Sequence, residues 1–230
     1  MKNSKVKGLV IGVVLVVGIV FIGGIFAFNG GLVQSGFDSN DATGGVEMHY
    51  SCSIGDFAFE NSHLPAVSIC IEDYGVIVAE LYPEYAPITV ENFINLVDDG
   101  FYDGLTLHRI IEGFMMQGGD PLGTGMGNSG HFITGEFSSN GWDNPIAHVR
   151  GVLSMARQGH DPNSASSQFF IIDGEAWWLD GDFAGFGRVI YGIEVVDRIT
   201  ANSNPTDDNG TIRPEEQPVI HSIRMWNRPN

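Results

Sequence analysis

The feature that most constrains this chain is the stretch between two short helical patterns. Val90, Phe93, Ile94 and Val97 recur at i, i+3, i+4 and i+7, with Pro87 at the first turn, so one helix lays a single face on a core. Ile193, Val196 and Ile199 carry a second, weaker period. Between them run only short apolar segments separated by Gly, Asn, Asp and Pro, which predicts strands and loops. Upstream, Val67, Ile69 and Ile71 alternate with Ser68, Cys70 and Glu72; a turn at Asp73-Tyr74-Gly75 and a second apolar run from Val76 to Leu81 complete a predicted hairpin. Val219 to Trp226 reads as a closing strand. Many short strands with two helices fit a closed or nearly closed antiparallel barrel, because closure removes exposed edges.

At 230 residues the chain holds one full domain plus extra segments. Residues 8–28, from Gly8 to Phe28, contain no charge, and as a helix they would extend about 31 Å, enough to cross a bilayer. Lys2, Lys5 and Lys7 precede them without any acid, so the positive-inside bias places residues 1–7 in the cytoplasm and the remainder outside. This predicts a single-pass signal-anchor. The competing reading is a cleaved signal peptide, whose apolar region is shorter and ends at a small-x-small site that Phe26-Ala27-Phe28-Asn29 does not offer. Residues 29–62, rich in Gly, Ser, Asn and Asp, read as an extracytoplasmic tether, and residues 63–230 as the folded domain.

All 28 acids follow the apolar segment, against eight arginines and no lysine, an excess of 20 negative charges. Such a field argues against nucleic acid and anionic membrane surfaces as partners. Cys52 and Cys70 are the only cysteines. Outside the cytoplasm an even count permits a disulfide between them; the other reading is two unpaired thiols, with Cys70 turned into the core.

Leu105 to Pro121 sets a solitary arginine, Arg109, among large apolar residues, a glutamine and glycines, a mixture suited to binding a neutral backbone. With Ser166-Ser167-Gln168-Phe169-Phe170-Ile171 and Trp178-Leu179-Asp180-Gly181, it makes the chain resemble the cyclophilin family of peptidyl-prolyl isomerases over roughly residues 65–226. The resemblance implies a mainly β fold, an eight-stranded antiparallel β-barrel with a helix at each open end. It also implies isomerisation of X-Pro bonds without a cofactor or metal, and the outward-facing anchor makes exported or membrane-associated polypeptides the expected substrates.

By the same resemblance Arg109 is the catalytic residue, and Phe114, Met115, Phe170 and Leu179 form the proline pocket. Gln117, Ala156, Arg157 and Gln168 would hold the flanking peptide, and Trp178 would form the rim, where the family's matching tryptophan contacts cyclosporin. Several positions depart from the family pattern. Leu107 replaces a common phenylalanine, Glu112 a proline, Arg157 an asparagine, and Phe183 a histidine or tyrosine at the pocket edge. The last removes a polar group, which predicts weaker activity or an altered preference before proline.

Three other readings compete. Gly127-Asn128-Ser129-Gly130, with His108, His131, His148 or His160 as base, sketches a serine hydrolase. Gly123 to Gly127 suggests a phosphate loop but lacks the Gly-Lys-Ser/Thr ending. The serious rival is a module that binds proline-containing segments without turning them over.

Overall fold

A computed structural model describes residues 63–226 together with Cys52. Eight strands and two helices run in the order β1 (Ala66–Ile71), β2 (Gly75–Leu81), α1 (Pro87–Asp98), β3 (Thr106–Ile111), β4 (Met115–Asp120), β5 (Val152–Met155), β6 (Phe169–Ile172), β7 (Gly185–Tyr191), α2 (Ile193–Asn202) and β8 (Ile220–Met225). Among the described residues no helix is long and apolar enough to cross a membrane. The segment 8–28 and the tether 29–62, apart from Cys52, lie outside the described residues.

All strand pairs are antiparallel, in the order β3-β4-β6-β5-β7-β2-β1-β8. The expectation of a closed barrel is corrected here, because no ladder joins the two ends, β3 and β8. Instead, the amides of Gly104 and Leu107 donate to the carbonyls of Ile220 (2.8 Å) and Pro218 (2.9 Å), and the Ile220 amide donates to Leu105 (2.7 Å). Two features prevent a continuous ladder. The register of β3 shifts at Thr106/Leu107 and again at Leu107/Arg109, and Pro218, just ahead of β8, has no N–H to give.

The β1–β2 hairpin pairs Ala66 with Glu80 through Ile71 with Gly75. Its turn needs left-handed backbone at Asp73, φ 61°, which an Asp tolerates. Helix α1 starts at Pro87 and buries Val90, Phe93 and Val97. Its free amides at Ile88 and Thr89 donate to the fully buried carboxylate of Glu136 at 2.9 and 2.8 Å, so a distant acid caps this helix. Phe93 sits at the centre of the core, with ring centroids 5.2 Å from Tyr102, 5.4 Å from Phe169 and 5.1 Å from Phe186.

Alternation along the strands creates two apolar layers. Met116, Leu153, Met155, Phe169 and Ile171 face the main core with the buried faces of both helices. Met115, Val152, Phe170 and Ile172 face the other way and pack with Phe114, Leu179 and Phe183. Cys52 and Cys70 form a disulfide with Cα atoms 5.6 Å apart, tying Cys52 to β1. Closing this loop stabilises the fold by about 3 kcal/mol in the chain-entropy account.

Candidate active site

The second apolar layer opens into a cavity of about 410 Å³. Strict alternation would send His108 and Arg109 to opposite faces of β3. Leu107 pairs with Gly118 and Arg109 with Gln117, so His108 is the extra residue of a β-bulge, and both His108 and Arg109 line the cavity.

Arg109 is held on two sides. Its Nε donates to the carbonyl of Asn209 (2.7 Å) and Nη1 to Oε1 of Gln117 (3.2 Å), while its guanidinium lies 5.9 Å from the Phe114 ring. Gln117 donates in turn to Gln168 (2.9 Å), and Gln168 to the carbonyls of Gly125 (3.0 Å) and Gly127 (2.8 Å). Arg109 is therefore coupled through two amides to the 123–127 loop. Asp120 shapes that loop by accepting the amides of Leu122 (2.8 Å), Thr124 (2.9 Å) and Gly125 (2.5 Å). Burial raises the pKa of Asp120, but the backbone donors outweigh it and hold the carboxyl below its usual range. Burial also presses Arg109 below its usual range, opposed by Asp207, yet a guanidinium keeps its proton.

Phe114, Met115, Phe170, Leu179 and Phe183 make the apolar walls. Phe170 and Phe183 meet edge to face at 5.9 Å. Ala156 follows β5 and lines the cavity, but its amide is already bonded to the Gln168 carbonyl at 3.0 Å. Gln168 braces Gln117 from behind, and Trp178, half exposed, stands on Phe114 with centroids 5.4 Å apart. Arg157 also lines the cavity, its guanidinium 5.0 Å from the Phe137 ring and 4.8 Å from that of Phe183.

Sequence reasoning missed seven residues of the lining. Asn209 and Thr211 arrive from a segment about 100 positions away, which no local pattern announces. The glycine loop around Thr124 and Met126 reads in sequence as turn chemistry alone. His108 is 5% exposed, and neither ring nitrogen has a partner among the described residues.

The hydrolase reading fails on contacts. Ser129 Oγ meets Ser166 Oγ at 2.9 Å and the His131 carbonyl at 3.3 Å, not an imidazole. A Ser-His-Asp chain does exist, with His148 at 2.9 Å from both Asp180 and Ser154, but Ser154 is wholly buried. Its role is mechanical: the His148 amide donates to Asp180 (2.7 Å) and the Ala176 amide to the His148 carbonyl (2.8 Å), which clamps the segment carrying Leu179. Among the described residues no group of three or more His, Cys, Asp or Glu could hold a metal.

The two buried imidazoles set a pH signature. Burial pulls His108 below its usual range, as does Arg109, with Asp120 opposing; burial lowers His148 likewise, against Asp180. The folded state resists protons that the unfolded chain accepts near a pKa of about 6.5. Their contribution to stability is therefore complete above about pH 6.5 and shrinks as pH falls towards the folded values. The unfolding temperature is expected to drop from pH 7.5 to pH 5 in thermal melts. A rise over that interval would contradict the assignment.

A charged donor fixed beside an apolar pocket, with amides on either side, fits a ligand that is greasy at one point and peptide-like around it. The family model for "Cyclophilin type peptidyl-prolyl cis-trans isomerase/CLD" matches residues 66–225. Peptidyl-prolyl cis-trans isomerase B of Bacillus subtilis is 48% identical over 124 residues, covering 54% of this chain and 82% of the relative. Peptidyl-prolyl cis-trans isomerase-like 1 of Neurospora crassa is 44% identical over 162 residues, 70% of this chain and 94% of the relative. A Cryptosporidium parvum cyclophilin type peptidyl-prolyl cis-trans isomerase, crystallised in the presence of the dipeptide Ala-Pro, superposes with a TM-score of 0.62 at 30% identity, covering 71% of this chain and 99% of the other. Fold, cavity and relatives agree that this chain belongs to the cyclophilin-type peptidyl-prolyl cis-trans isomerases, and so to a family of enzymes.

Proposed function

We propose that the chain isomerises X-Pro bonds by differential hydrogen bonding from Arg109. Amide resonance sets a rotation barrier of about 18–20 kcal/mol. In the twisted state the proline nitrogen turns pyramidal and recovers a lone pair, which a fixed donor can hold and the planar ground state cannot offer. Binding that grows only at the barrier top is catalytic. One charge-assisted hydrogen bond is worth about 1.5–3 kcal/mol, or roughly 10- to 100-fold in rate. The remainder comes from stripping water off the proline ring between Phe114, Met115, Phe170 and Leu179, while Gln117, Ala156, Gln168 and Trp178 flank the rest of the peptide. The observation that carries this reading is the position of Arg109, buttressed by Asn209 and Gln117 at the edge of the apolar walls.

Two-dimensional NMR exchange on an X-Pro peptide with the full-length chain in detergent tests it. Expected are exchange cross-peaks between cis and trans populations at substoichiometric protein. Spontaneous rates alongside normal peptide binding would favour a pure binding module. The rate is expected to be flat from about pH 6 to 8, since neither bond rotation nor Arg109 needs a titrating group there.

The clients in this reading are flexible proline-containing polypeptides outside the cytoplasm. The uncharged run from Gly8 to Phe28 after a lysine cluster supports a membrane anchor, and the Cys52–Cys70 disulfide suits an oxidising compartment. Trp178 at the rim supports cyclosporin as a ligand. Phe183 keeps the apolar wall but has no polar tip. Phe183→His is expected to raise kcat/KM about two- to tenfold, or to change the preferred residue before proline, by restoring one hydrogen bond. Unchanged rate and preference across a peptide series would refute that role.

A further inference from the structure

The chain carries 28 acids against 11 bases, yet both charged side chains lining the cavity besides the imidazole are arginines, Arg109 and Arg157. No carboxylate lines it. Asp207, which acts electrostatically on Arg109, is occupied by the amides of Asn209 (3.1 Å) and Thr211 (3.0 Å), and Asp182 accepts from Ser139 at 2.6 Å. Among the described residues the ion pairs engage Arg150, Arg213 and Arg224, not either cavity arginine.

Arg157 is the more informative of the two. Its guanidinium lies between the rings of Phe137 and Phe183, Nε donates to the carbonyl of Asp182 (2.9 Å), and Nη1 to those of Gln158 (3.0 Å) and Gly159 (3.2 Å). Among the described residues no hydrogen bond engages Nη2. The group is immobilised entirely by neutral partners, so among the described residues no carboxylate is paired with its charge, and its side-chain entropy is already spent before a ligand arrives. A fixed, unpaired cation at a cavity wall favours an anion on whatever occupies the cavity.

We propose that Arg157 is a specificity-determining residue that selects X-Pro segments bearing a carboxylate, Asp or Glu, within two residues of the proline. This rests on the reading that the cavity binds such segments. Because Arg157 touches Phe183 and not Arg109, its contribution is present in both the ground state and the twisted state. It belongs in KM and leaves kcat alone.

The test uses the full-length chain and pairs of N-acylated tetrapeptides that differ only in Glu versus Gln, at each of two positions before proline and at one after it. In at least one pair, the Glu peptide is expected to show a KM about two- to fivefold lower, the range for a partly exposed charge pair. The ratio is read within each protein, so a general change in activity cancels. In Arg157→Asn it is expected to collapse to about one, and in Arg157→Lys, which keeps a charge without the planar stack, to persist in part. A ratio of one or less at every position in the parent protein overturns the proposal without any variant. A ratio that survives Arg157→Asn assigns the selection elsewhere and also overturns it. Equal turnover of Glu and Gln peptides leaves the isomerase reading standing. If no peptide is turned over, that reading falls, and the ratio of dissociation constants from NMR titration still decides between acidic and neutral segments.

Discussion

Arg109→Ala is expected to lower kcat/KM for an X-Pro peptide by about 10- to 100-fold, mostly through kcat, because the lost hydrogen bond forms only as the amide twists. Structure and stability should survive. Arg109 is a half-buried residue on an edge strand, its partners being the carbonyl of Asn209 and the amide oxygen of Gln117, both at a cavity that water can enter. Exchange NMR gives the rate, and a thermal melt within a few degrees of the parent shows that the fold is intact. An unaltered kcat in a folded variant removes Arg109 from catalysis and leaves desolvation by the pocket walls as the source of rate. Arg109→Lys separates charge from geometry: a lysine brings a cation but not the planar fork whose Nε and Nη1 reach Asn209 and Gln117.

Phe93→Ala is expected to destabilise the domain by about 3–5 kcal/mol, the range for removing a buried aromatic ring and leaving a cavity. The ring is fully buried, and it joins α1 to β6 and β7 through its contacts with Phe169 and Phe186. For a domain of this size that corresponds to a fall in unfolding temperature of about 6–20 °C. Denaturant melts at several peptide concentrations would also report whether substrate rescues the loss by mass action. A cost below about 1 kcal/mol would mean that the aromatic cluster collapses to fill the space, so that Phe93 is not its keystone.

What the sequence reveals of this fold is whatever depends on local period. The hairpin from Ala66 to Leu81, α1 from Pro87 and α2 from Ile193 are legible because each buries one face of a regular element. Closure of the barrel is not legible in this way, because it depends on the register of β3, and a bulge is a matter of one residue with no compositional mark. The same bulge hid His108, which alternation assigns to the opposite face from Arg109. The apolar walls were legible through resemblance, since Phe114, Met115, Phe170 and Leu179 stand in blocks of fixed spacing. Asn209 and Thr211 were not, because they reach the cavity only through the pairing of Arg109 with Thr211 across the chain. Two departures noted separately, Arg157 and Phe183, are in contact at 4.8 Å, a coupling that no linear reading contains.

The open seam between β3 and β8 bears on how this catalyst can work. The arginine rides on the margin of the sheet, where the outer edge is stitched by a few bonds to the 207–212 and 218–220 segments and not by a full ladder. Such a border can breathe at a fraction of the cost of unfolding the interior, whose aromatic cluster lies on the other side of the strands. Any compliance is thereby confined to the rim that carries Arg109, whose guanidinium the carbonyl of Asn209 and the amide of Gln117 hold in place against it.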